Sequence, residues 1–113
     1  MSVVKADMID GMAADGNTLV LAISDHLIWD REKAAHLSML QGKLNKYIYF
    51  FESGTYRQYF EGQSFGRLRI EIFFLHQWDE SFDKLLELAS GQLKERKIDI
   101  VCTLKDDIIE RQV

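Results

Sequence analysis

An α+β two-layer sandwich is expected of these 113 residues: a mixed four-stranded sheet with two helices on one face, in the order ββαβαβ. Two observations lead there. The apolar period alternates between two residues and about 3.6, marking strands and amphipathic helices in turn. Helix-length segments separate the later strands, which favours parallel neighbours, whereas a tight Asp-Gly turn near the start makes the first two strands an antiparallel hairpin.

The hairpin turn is "ADGN", Ala14 to Asn17, where glycine tolerates positive backbone angles. "TLVLAIS" follows, with Leu19, Leu21 and Ile23 on one face and Val20 and Ala22 on the other. From Asp30 the period becomes helical through Leu37, Leu40, Leu44, Tyr47, Ile48 and Phe51, with Asp30 as the expected N-cap and Gly54 as the stop. Thr55 to Gly66 reads as a loop with residual helix at its start and aromatics folded back on the core. "RLRIEIFFLH" alternates Leu68, Ile70, Ile72 and Phe74 against Arg67, Arg69, Glu71, Phe73 and Leu75. A second helix follows through Phe82, Leu85, Leu86, Ala89 and Leu93, capped by Asp79 or Ser81, with Lys94, Arg96 and Lys97 near the negative end of its dipole. The last strand turns Ile98, Ile100, Cys102 and Leu104 inward, and residues 106–113 form a polar tail to a single domain spanning 1–113.

Composition narrows the function. Apolar residues at 47% and no proline describe a folded chain and not a disordered one. A net charge of -4 gives no global attraction to phosphate backbones or anionic membranes, so neither nucleic acid nor membrane is an expected partner. The start lacks a secretory signal pattern and no run is long enough to span a bilayer, so a cytoplasmic location is expected. Cys102 is the one cysteine, which excludes an internal disulfide, and it reads as a small core residue with a thiol hard to ionise. No P-loop, dinucleotide fingerprint or nucleophile elbow is present, and no cofactor is expected.

The densest chemistry is "ISDHLIWD", Ile23 to Asp30. Ser24, Asp25 and His26 are the side-chain types of a hydrolytic triad. Adjacent residues of an extended chain point to opposite sides, however, so they cannot align as nucleophile, base and orienter. No catalytic residue is assigned. The local reading is that Asp25 accepts backbone N–H groups at the strand end, Leu27 and Trp29 staple the turn to the core, and Asp30 caps the helix. His26 is then exposed or bonded within the turn. A metal or ligand site would need His26 and His36 together with Asp25, Asp30 or Glu32, but no histidine pair at helical spacing fixes both on one face. His76 would join only if strand ends cluster.

"MSVV" and "MIDGMAADGNTLVLAISDHLIWD", then "HLSMLQGKLNKYIYFFESG", resemble a small bacterial family of domains of unknown function. That family has an N-terminal V-I-D-x-I before a hairpin, an I-S-D-H-L-x-W turn and a helix ending Y-x-x-F-x-E-S-G. The likeness covers Met1 to Gly54, and more loosely the strand and helix after Arg67. It implies a short cytoplasmic α+β protein and supplies no catalytic residue.

The far face of the sheet should show Val20, Ala22, Phe73, Leu75 and Val101 beside Arg69, Glu71 and Thr103, more apolar than a solvated face requires. The expected function is therefore non-enzymatic protein–protein interaction. The partners would be a second copy, through Phe73, Leu75 and Val101, or another protein, as for an acidic immunity or accessory protein masking a basic toxin. The alternative is an enzyme or a ligand- or metal-binding module using Asp25, His26 and His36, with Trp29 beside them.

Overall fold

The computed structural model describes residues 9–30 and 32–105, so the tail over 106–113 lies outside the described residues, as does the start of the segment leading into the first strand. Strands β1 (Gly11–Asp15) and β2 (Thr18–Asp25) form the hairpin; helix α1 (Lys33–Glu52), β3 (Arg67–Phe74), α2 (Glu80–Glu95) and β4 (Ile98–Leu104) follow. Sheet order is β1-β2-β3-β4, with β1 antiparallel to β2 and the last three strands parallel. The expected mixed ββαβαβ sheet is observed.

Turn chemistry sets the strand register. Gly16 takes φ 59°, the positive angle a two-residue hairpin connection requires. The next residue, Asn17, then anchors the distant start of β3. Its carbonyl accepts from Gly66 and Arg67 N–H at 3.0 and 3.2 Å, and its side-chain oxygen also accepts from Gly66 at 3.0 Å. A Cβ on Gly66 would meet Asn17 Nδ2 at 2.6 Å, so a larger residue there would displace the Asn17 side chain. With Leu19 opposite Leu68 and Leu68 opposite Ile98, the inward residues of three strands fall in rows.

Those rows are the floor of the core. Leu19, Leu21, Ile23, Leu68, Ile70, Ile72 and Phe74 are all essentially inaccessible, and α1 covers them with Leu40, Leu44, Tyr47 and Ile48. The 3-10 turn over Thr55–Tyr59 is the residual helix expected there. Within it Tyr56 is buried and beyond it Phe65, with Phe65 N–H donating to Tyr56 Oη at 2.9 Å. Gly54 at φ 80° ends α1 as expected. Asp79 caps α2 by accepting from Ser81 N–H at 3.0 Å.

One expectation differs from the structure. Asp30 does not cap α1: the N-cap is Glu32, in a left-handed conformation (φ 48°) and with no side-chain cap. Trp29 is driven into the core, and the chain climbs from sheet to helix layer through the exposed Asp30 before the first helical bond, His36 N–H to Glu32 carbonyl, can form. Arg96 sits at the C-cap of α2, as expected, and also clamps the two helices: its guanidinium donates from both Nε (2.8 Å) and Nη2 to the Glu52 carboxylate at the end of α1. That guanidinium, hydrogen-bonded to the carboxylate, holds Glu52 below the usual carboxylate range.

Candidate functional site

The carboxyl end of β2 holds the chemistry. Strand alternation that buries Leu19, Leu21 and Ile23 also turns Asp25 inward, at 1% exposure. A carboxylate so placed must be satisfied locally. Its Oδ1 accepts from Leu27 N–H at 3.0 Å, so the expected strand-end bond is present, and Oδ2 lies 2.6 Å from His36 Nε2. His36 is one turn into α1, on the same stripe as Leu40, Leu44 and Tyr47, and is 3% exposed. Trp29 lies flat on the imidazole, with ring centroids 3.7 Å apart at 19°, and reaches Phe74 and Phe82 at 6.3 Å each.

The structure thus brings Asp25, Trp29 and His36 together and leaves His26 exposed outside the cluster. With Nε2 engaged by the Asp25 carboxyl, Nδ1 is the ring's only other hydrogen-bonding atom. Nδ1 and the Trp29 indole N–H are both buried without a hydrogen-bond partner among the described residues. A shallow cleft lined by Leu27, Ile28, Glu32, Ala35, His36 and Met39 lies alongside. The Nδ1 edge of an imidazole oriented in this way is a hydrogen-bonding group, yet its burial keeps it from bulk substrate. Among the described residues no three His, Cys, Asp or Glu side chains converge as metal ligands, and Asp25 with His36 supplies only two. His76 sits half-buried just beyond β3.

A second polar cluster lies two turns along α1. Lys43, fully buried, places Nζ 3.0 Å from Asp10 Oδ1. Asp10 also accepts from Ser24 N–H through Oδ2 at 2.9 Å and donates its own N–H to Tyr47 Oη at 2.9 Å; the Tyr47 hydroxyl donates to the Ala22 carbonyl at 2.7 Å. Burial pushes the Tyr47 phenol well above its ordinary range. Asp10 and Lys43 are not among the sequence candidates. The available signal was a lysine on the apolar stripe, between Leu40 and Tyr47, where a solvated lysine does not belong.

The interface candidates all lie at the surface: Phe73 37%, Leu75 43% and Val101 42% exposed. Phe73 and Val101 share the outer sheet face with Arg69, which bonds Glu71 at 2.9 Å and Asp15 at 3.4 Å, while Arg67 pairs with Asp99 at 3.2 Å. Cys102 is half-buried on the inner face of β4, where burial and then the charge of Asp83 push its thiol up to about 11.

A family model matches residues 1–106, spanning both polar clusters and the whole sheet. The chain belongs to the family of unknown function DUF6572. No curated protein and no solved structure matches it. The match agrees with the resemblance carried by "MIDGM", "ISDHLIWD" and "YIYFFESG". In this DUF6572 chain those stretches hold much of the buried polar framework: Asp10 in the first, Asp25 and Trp29 in the second, Tyr47 in the third. No helix among the described residues is long and apolar enough to cross a membrane.

Proposed function

We propose that this DUF6572 chain is a protein-interaction module that docks a protein partner on the outer face of its sheet. The observation that carries the reading is the openness of that face, among the described residues, over three parallel strands. Parallel strands are nearly always covered on both sides, and here both helices lie over the inner side while Phe73, Leu75 and Val101 stand exposed on the outer. The reading also agrees with the sealing of Asp25 and His36 inside the core, where chemistry on a diffusing substrate is disfavoured.

The face carries both signs, Arg67 and Arg69 among Asp15, Glu71 and Asp99, already paired with one another. It suits a partner surface of mixed charge around an apolar centre more than a strongly basic one. Phe73→Glu places a charge at the centre of the patch without touching the core. Used as bait in lysate of its own host, the wild type and Leu88→Glu, altered at an exposed position on α2, should retain the same partner, and Phe73→Glu should lose it. Equal capture by all three baits, or no specific capture by the wild type, would sink the reading.

A further inference from the structure

We infer that β4 pairs antiparallel with β4 of a second copy, about a two-fold axis through Val101 normal to the sheet, to make a continuous eight-stranded sheet. The two edges of the sheet differ. β1 is five residues of glycine, alanine, methionine and a terminal aspartate. β4 is seven residues with Ile98, Ile100, Val101, Cys102 and Leu104, one charge at Asp99 and no proline, and it lacks a neighbour among the described residues. An apolar edge without the usual lysine, proline or bulge is a template for another strand.

Backbone direction selects the register. Lys97 carbonyl accepts from Leu68 N–H at 3.0 Å, so Lys97, Asp99, Val101 and Thr103 turn their amide groups toward β3. Ile98, Ile100, Cys102 and Leu104 therefore turn theirs outward. One antiparallel register pairs all four of these residues: Ile98 with Leu104 of the second copy, and Ile100 with Cys102. The same register opposes apolar side chains on the inner face, and Asp99 to Thr103 on the outer. Lys97 and Lys105 approach only beyond the ends of the pair, where both are exposed. The inner face has room as well, because a cleft of about 460 Å3 bordered by Leu86, Gly91, Leu93, Ile98 and Ile100 flanks this half of β4. Leu104 and Cys102 of the second copy arrive beside it.

The pairing stands apart from the partner reading, since Phe73 is on β3 and Phe73→Glu is expected to leave it unchanged. Two tests address it. In a Cys102→Ser background, Val101→Cys sets two thiols on a non-hydrogen-bonded pair about 4.5 Å apart at Cα, within disulfide range, and oxidation should give a covalent dimer. Thr103→Cys, roughly 13 Å from its copy by strand rise, should not. By sedimentation equilibrium of the full chain, Thr103→Lys should tighten the dimer and Thr103→Glu weaken it, each roughly three- to tenfold, because two cross-strand pairs with Asp99 change together.

Three results would overturn the pairing: a monomeric wild type at roughly 100 μM, equal crosslinking at both positions, or shifts of the same sign for lysine and glutamate. A monomeric wild type that dimerises once Ile108→Asp and Ile109→Asp are introduced would assign the edge to the chain's own residues 106–113 and would likewise overturn it.

Discussion

Asp25 is placed by strand parity and kept by its partners. Replacing it with alanine takes from His36 Nε2 and the Leu27 N–H their buried partner, beside a ring edge and an indole N–H without partners among the described residues. Asp25→Ala should therefore cost about 2–4 kcal/mol in chemical denaturation, against a few tenths for alanine at the exposed His26. An equal, small effect at both positions would remove Asp25 from the framework. The contrast also measures what was legible in "ISDHLIWD". That Asp25 points inward and takes a backbone N–H follows from alternation and end chemistry, both local. That its other oxygen meets His36 and not His26 depends on where α1 crosses the sheet, which no local pattern contains. The Asp10 and Lys43 pair is hidden for the same reason, although Lys43 advertises its half by its place on the stripe.

At the scale of elements, the two helix starts behave differently. α2 begins at Asp79, whose carboxylate is faced by the Ser81 hydroxyl and backbone N–H and by Lys33 Nζ at 3.1 Å, and is held down to about 2 from its ordinary 3.8. A carboxyl depressed on folding contributes stability that is present above the unfolded value and is lost as pH falls through the folded one. The contribution of Asp79 should fade between about pH 4 and pH 2. Asp79→Ala should lower the urea midpoint at pH 7 and narrow its gap from the wild type by pH 2; a gap independent of pH would exclude this origin. The start of α1 has no side-chain cap, because burial of Trp29 and the reach of His36 to Asp25 decide where that helix begins. Local signals located Gly54 and narrowed the cap of α2 to Asp79 or Ser81 because the bonds made there are local, the Asp79 carboxylate accepting from Ser81 N–H. They misplaced the start of α1 because a tryptophan needed the core more than an aspartate needed a helix.

For the whole molecule, element types, their order and the mixed sheet followed from apolar period and connection length. The relative hold of the two helices did not. α1 buries six residues along its length, including Lys43 and His36, whereas α2 fully buries Phe82 alone and keeps Leu85, Leu86 and Leu93 half-covered. Its far end is retained by the Arg96 and Glu52 ion pair, both partners well exposed, and such pairs contribute little. The molecule should thus open in stages. In hydrogen–deuterium exchange, amides from Gly91 to Glu95 should trade earliest among the helical ones, those around Leu40 to Ile48 should exchange only on global unfolding, and Glu52→Gln should hasten the first group alone. Uniform rates along both helices would contradict that order. The asymmetry makes the outer turns of α2 the part of this fold that can be reshaped most cheaply, so a sequence drifting under selection can alter that flank while the polar framework under α1 stays intact.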